Sequence, residues 1–362
     1  MSTTSKWIIA IIVIILVIAG VWYYDAKPTS PVNTGPIKIG AILSLTGDAS
    51  VDAKNIQRGM ELAKEDLAQK DVKVEINYQD DKTDPKETVS GLQFLLNNRP
   101  DAIIGLTWSF LEDAGAPVID NAKIVAYAPA DTSEVVNNRS TYVFHGAIKN
   151  SDKTDTISNW LTANKKKNVA IIVSQDAWGK SHELAYTKAV EMSGGKVSMI
   201  ERLPFGLEGA GLTTVLTKLK NSKSDVLLWT GYNDGALAII RKTQELDINI
   251  PIIGTEGLSW VVDNGSIKLS PKQEIYSLKT KVSSEFVSKF EAKFGEKPGT
   301  YADTAYDGLM LLIQAVQTAR ANKIDTLTAT KNSTYDGYAG HYQFDKNNDR
   351  VKGGEWVLEK LK

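Results

Sequence analysis

Cysteine is absent from all 362 residues, which excludes disulfides, zinc thiolate sites, cysteine nucleophiles and a lipid-modified N-terminal cysteine. Histidine is nearly absent too. The only three, His145, His182 and His341, are far apart and fall in no His-x-x-x-His or Glu-x-x-His pattern, so no metal centre is expected. Charge of one sign is missing as well: the formal net charge is −1, and the short run Lys165, Lys166, Lys167 reads as a solvated helix end rather than a basic stripe. Nucleic acid is therefore not an expected partner. No G-x-S-x-G elbow occurs. The segment SQDAWGKS (174–181) lacks the first glycine of the phosphate-binding loop, and that glycine is what permits the loop's tight path. Asp345, Asn347 and Asp349 begin like a calcium loop but lack its glycine and terminal glutamate, so a hairpin turn explains them better. An enzyme is not expected, nor any cofactor.

One long apolar run is present. Residues 7–24 are rich in Ile and Val, follow Lys6 and end in Trp22, Tyr23 and Tyr24. At helical rise about 18 residues just span a hydrocarbon core, and interfacial aromatics suit its edge. The positive flank precedes the run, which puts the bulk of the chain outside the cytoplasm. An uncleaved anchor is the preferred reading; the rival is a signal peptide cut after the small residues near Val17 and Ala19. Residues 25–36, with Pro28, Pro31, Gly35 and Pro36, read as an extended tether.

Beyond the tether, 42% hydrophobic content over this length supports two domains with substantial cores. Strand-like and helix-like segments alternate. Apolar runs at 37–43, 102–106 and 124–128, with an alternating segment at 72–78, are separated by helical patterns such as Ile56, Met60, Ala63, Leu67. Asp84-Pro85 supplies an N-cap followed by proline. A second series of the same kind runs through 169–174, 196–201, 226–230 and 252–254. This order implies parallel sheets covered on both faces. Near the end, Val282, Phe286, Phe290 and Phe294 share a helix face, a second helix covers about 304–319, and 338–344 and 354–358 look like two strands joined by a turn. The fold class is α/β, with two Rossmann-like lobes: residues 37–149 plus 279–334 form lobe 1, and 150–278 plus 335–362 form lobe 2, joined by three hinge strands.

Four of the apolar strands stop at short loops that each offer one hydrogen-bonding group: Ser109, Thr132, Tyr232 and Glu256. Small ligands bind at the carboxyl ends of strands in open α/β sheets, so these four mark one site if the strands belong to facing sheets.

Eight segments, in order, carry a resemblance: IKIGAILSLTG (37–47), DDKTDPKETV (80–89), AIIG (102–105) followed by Ser109, APADTSE (128–134), GYNDGA (231–236), GTEGL (254–258), FGEKPGTYADTAYDGL (294–309) and FDKNNDRVKG (344–353). Together they resemble the type I periplasmic binding proteins, closest to the leucine/isoleucine/valine-binding branch that feeds ABC importers. The resemblance implies a monomeric solute-binding protein that closes its lobes on an amino acid and presents it to a membrane permease; the alternative is the same fold serving as an extracellular sensor of amino acids or amides. It also implies site residues. Ser109, Ala130 and Thr132 would hold the ligand carboxylate, with Thr132 also reaching the ammonium; Trp178, where tyrosine is usual, and Tyr232 would cover the ligand; Glu256 would take the ammonium. Trp108, Phe110, Tyr301 and Asp52 would line the side-chain end, with Asp52 standing where the family often presents an aromatic ring. Leucine, isoleucine or valine is the expected ligand, and the acids Asp48, Asp52 and Asp131 near the side-chain end leave a polar or cationic amino acid as the alternative.

Overall fold

A computed structural model describes residues 35–362 apart from 133, 136–138, 205–209 and 352. The apolar run at 7–24 and nearly all of the tether lie outside the described residues. Among those described, no helix is long and apolar enough to cross a membrane.

The first series of strands, β1 (Ile37–Leu43), β2 (Val74–Asp80), β3 (Ala102–Gly105), β4 (Ala126–Ala128) and β5 (Val143–His145), forms a parallel sheet in the order β2-β1-β3-β4-β5. The second, β6 (Asn168–Ser174), β7 (Lys196–Leu203), β8 (Val226–Thr230), β9 (Ile252–Gly254), β10 (Ile275–Thr280) and β13 (Trp356–Lys360), is ordered β13-β10-β9-β8-β6-β7, with only β13 antiparallel. The central strands β3, β4, β6, β8 and β9 are buried nearly throughout, because helices cover both faces of each sheet. This is the bilobed α/β arrangement that the alternating pattern implied.

Local signals place the helices. Asp84 caps Pro85–Asn97 by accepting the amides of Lys86 and Glu87, and Asp176 caps Ala177–Met192 by accepting that of Gly179. Helix Ser50–Gln69 lies close against Ala302–Asn322 because Gly59 meets the carbonyl of Ala302; a Cβ there would come within 2.0 Å of that oxygen. The phenylalanine face of Ser284–Phe294 is used as its spacing indicated, with Phe286 and Phe290 in the core beneath the first sheet.

The end of the chain differs from expectation. Segments 338–344 and 354–358 do not pair with one another. Instead β11 (Tyr335–Gly337) pairs with β12 (Gly340–Tyr342), and Tyr342 and Phe344 join the core of the first lobe, while β13 pairs with β10 in the second. Apolar content alone could not distinguish these partners, since both strands are short and each buries one aromatic ring. The expected turn at 345–350 does form, with Asp345 accepting the amides of Asn347 and Asp349.

The chain passes between the lobes three times: after β5, after β10 and before β13. Buried Arg350 ties two of these passages together by donating to the carbonyls of Gly146 and Gly353, and lies 3.7 Å over the Tyr342 ring. The other pair is joined by Lys281 N–H to the Glu355 carbonyl.

Candidate ligand-binding cleft

Each lobe turns the carboxyl ends of its strands toward the other. From the first lobe, β3 ends at Gly105 and Leu106, both at positive φ, and the chain then enters helix Ser109–Ala122. Ser109 thus stands in the first turn, where free amides and the positive end of the helix favour an anion. The loop after β4 brings Ala130, Asp131 and Thr132, all buried, beside it. From the second lobe, Trp178 follows β6, Tyr232 follows β8 and Glu256 follows β9.

The two walls touch. Trp178 Nε1 donates to Thr132 Oγ1 at 3.1 Å, and Tyr301 Oη donates to Glu256 Oε1 at 2.6 Å. Three rings stack across the gap, with Trp108 to Tyr232 at 4.3 Å and Tyr232 to Trp178 at 4.8 Å between centroids. The lobes are therefore closed, and the polar groups of the cleft are held by protein partners. Ser109 Oγ donates to Asp131 Oδ1 at 2.6 Å, and Tyr232 Oη donates to Asp176 Oδ2 at 2.6 Å. Phe110 packs edge-on to Trp108. All six residues proposed to grip the ligand, together with Trp108, Tyr301 and Asp52, come from loops and helix starts at this one junction.

Acidic groups dominate it. Asp52 accepts from Trp108 Nε1 at 3.0 Å, and burial pushes its pKa up to about 7, with the Glu256 charge adding to the shift and the indole bond opposing it. Burial, then the Glu112 charge, raise the Asp131 carboxyl well above the usual range. The phenol of Tyr301 is pushed up by burial and by the charges of Glu256 and Asp52. The nearby cation is Lys153, lowered to about 7 by burial against the pull of Glu256 and Glu134, with Nζ 2.8 Å from His182 Nε2.

Sequence reasoning did not single out the groups that support this cleft. Glu112, His145, Lys153 and Asp176 lie behind the ligand wall, and only their contacts give them meaning. Glu112, Asp131 and His145 bring ligand-type atoms within 4.8 Å of one another. His145 is nevertheless spent, with Nε2 2.8 Å from Glu112 and Nδ1 2.9 Å from Asp349, and Arg139 and Lys149 both pair with Asp349. Protein cations already balance these acids, which leaves a metal little to do there.

Beside the clamp lies a cavity of about 250 Å³, walled by Val51, Trp108, Leu212, Trp229, Tyr232 and Trp260, with Asp48 and Asp234 also lining it. It shares Trp108 and Tyr232 with the clamp but does not reach Ser109, Thr132 or Glu256.

A family model described as periplasmic binding protein matches residues 36–359. The chain belongs to that family. It is a type I periplasmic binding protein rather than an enzyme, of a family that works outside the cytoplasm. It is 25% identical over 238 residues to "Leu/Ile/Val-binding protein BraC3" of Rhizobium johnstonii, a match that covers 64% of each chain, so it spans a little under two thirds of that relative's length. With "Leu/Ile/Val-binding protein homolog 2" of Brucella abortus the identity is 23%, covering 86% of this chain and 87% of the other. Among solved structures it resembles the branched-chain amino acid transporter substrate-binding protein LivJ from Streptococcus pneumoniae in complex with isoleucine, with TM-score 0.75, 21% identity and coverage of 90% and 100%. It also resembles a solute-binding protein of R. palustris in complex with benzoate, with TM-score 0.77, 19% identity and coverage of 91% and 94%. At these identities the likenesses establish the fold of this periplasmic binding protein.

Proposed function

We propose that this periplasmic binding protein captures a free amino acid between its lobes and delivers it to an ABC permease, held at the membrane through its N-terminal segment and acting as a monomer. One observation carries the reading: Ser109, Ala130 and Thr132 on one wall face Trp178, Tyr232 and Glu256 on the other, and bonds such as Trp178 to Thr132 already cross the gap. A helix start with hydroxyls and free amides suits a carboxylate, and an acidic group opposite suits an ammonium. A ligand with both is thereby selected, and the names of the Leu/Ile/Val-binding relatives support that class.

On this reading the open protein binds the carboxylate on the first lobe. Rotation about the three crossings then brings Trp178, Tyr232 and Glu256 over the ligand and expels water, and the closed shape is what the permease recognises. The ligand carboxylate takes over the Ser109 hydroxyl that Asp131 accepts in the closed structure.

The test is calorimetric titration of the purified protein with the twenty common amino acids and with benzoate. Saturable one-to-one binding of an amino acid supports the reading; benzoate binding without any amino acid response removes it.

A further inference from the structure

The cleft holds more negative charge than a simple zwitterion can answer. Asp131 is engaged by the Ser109 hydroxyl, and Asp176 is spent on a helix cap, accepting from Ser174 Oγ, Gly179 N and Tyr232 Oη. Two acids then remain to face a ligand, Glu256 from the second lobe and Asp52 from the first, and Asp52 feels the Glu256 charge. Neither has a basic partner within ion-pair distance among the described residues. Lys153 stands behind Glu256, tied to His182 and lying 4.0 Å over the Trp356 ring.

The α-ammonium of an ordinary amino acid answers Glu256 alone. Half-buried Asp52 would then have a single indole N–H as partner, either charged and unpaired or neutralised by a proton, and each costs free energy. A ligand with a second positive charge removes that cost. Room for it exists: the cavity of about 250 Å³ adjoins Trp108, the ring that holds Asp52, and Ser50 and Val51, the residues just before Asp52, line it. Its walls of Trp108, Trp229, Val51 and Leu212 suit the apolar stem of a long side chain, and indole faces also attract cations.

We propose that Asp52 is the specificity-determining residue of this cleft and selects an α-amino acid with a cationic side chain, such as ornithine, lysine or arginine, in place of leucine, isoleucine or valine. The proposal rests on the amino-acid reading given above.

Titration of the full chain with L-ornithine, L-lysine, L-arginine, L-glutamine and L-leucine tests it, alongside Asp52→Asn and Glu256→Gln. The expected result is a basic amino acid bound at least about ten-fold more tightly than leucine, a preference lost in Asp52→Asn, since a charge-assisted bond is roughly twice as strong as a neutral one. Asparagine can still accept from the Trp108 indole, and an unchanged melting temperature confirms an intact fold. Leucine or glutamine binding more tightly than every basic ligand, or Asp52→Asn weakening all ligands equally, overturns the role of Asp52 while leaving the amino-acid reading standing. Absence of binding by any amino acid, with no effect of Glu256→Gln, overturns that reading and the proposal with it.

Discussion

The indole N–H of Trp178 donates to the hydroxyl of Thr132 at 3.1 Å, so a residue of one lobe fixes the orientation of a ligand-facing group in the other. With its oxygen lone pair engaged, the Thr132 O–H is aimed as a donor, which is what a carboxylate requires. Trp178→Phe keeps the ring stacked on Tyr232 and removes only this tie. A neutral hydrogen bond contributes about 0.5–1.5 kcal/mol, so affinity for the cognate amino acid is expected to fall roughly two- to ten-fold. Solution scattering of the ligand-free variant is expected to show a larger radius of gyration as closure weakens. Unchanged affinity together with unchanged scattering would show that the tie does not influence closure.

Glu256 reaches the cleft from the loop after β9 and accepts from Tyr301 Oη at 2.6 Å. A ligand ammonium adds a charge-assisted bond on the same carboxylate, worth roughly 1.5–3 kcal/mol. Glu256→Gln preserves size and the bond from Tyr301 but loses the charge. Calorimetry is expected to show amino-acid affinity reduced about ten-fold or more, with little change in melting temperature. Retention of full affinity would place the ammonium elsewhere.

The bilobed α/β class was legible in the sequence because apolar runs alternated with amphipathic segments at regular intervals, whereas the order of strands in each sheet, and the strands β5 and β10, were not. The junction that carries the candidate site was legible where a loop after a strand carried one polar residue, as at Ser109, Thr132, Tyr232 and Glu256. Pairing over longer range was not. Nothing in the string distinguishes pairing of residues 340–342 with 335–337 from pairing with 356–360, since the choice depends on which core accepts Tyr342 and which accepts Trp356. Likewise Glu112 and His145 are 33 residues apart and meet only because β5 lies beside β4, the strand that follows the helix carrying Glu112. Buried charges of this kind have no periodic signature, and their partners are set by tertiary packing.

That buried pair yields a stability prediction. His145 Nε2 lies 2.8 Å from Glu112 and Nδ1 2.9 Å from Asp349; burial alone would lower the imidazole, but the Glu112 charge and the bond it donates to Asp349 carry it up to about 10. A folded value above the ordinary one near 6.5 means the folded state holds the proton more tightly. The resulting stabilisation is complete below pH 6.5 and is lost as pH rises toward 10. Urea midpoints of the wild type are expected to fall between pH 7 and pH 9.5. His145→Asn takes the ion-pair partner from buried Glu112 while Asp349 keeps Arg139 and Lys149, at a cost of about 3–5 kcal/mol, and should flatten the pH dependence in that window. An equal slope in the variant would assign the titration to another group.

Asp52 gives the opposite linkage on the ligand side. In the closed, ligand-free cleft its carboxyl is pushed up to about 7 by burial with help from Glu256. A cationic side chain placed against it favours the ionised form and lowers that pKa, so binding expels a proton. Affinity for a basic amino acid should therefore rise from pH 6 to pH 7 and level off near pH 8, with a logarithmic slope approaching +1 at the acid end. Side-chain ammonium groups, with pKa near 10.4, stay charged across this range and contribute no slope. Lys153, lowered to about 7, also titrates here, and its loss of charge frees Glu256 to attract any ligand ammonium, which acts in the same direction. The two are separable: the Lys153 effect applies to leucine and survives Asp52→Asn, whereas the Asp52 effect requires a basic ligand and vanishes in that variant. Calorimetry in two buffers of different ionisation enthalpy counts the released proton directly. Identical proton release by leucine and by the basic ligands would assign the linkage to Lys153 and leave Asp52 without a part in it.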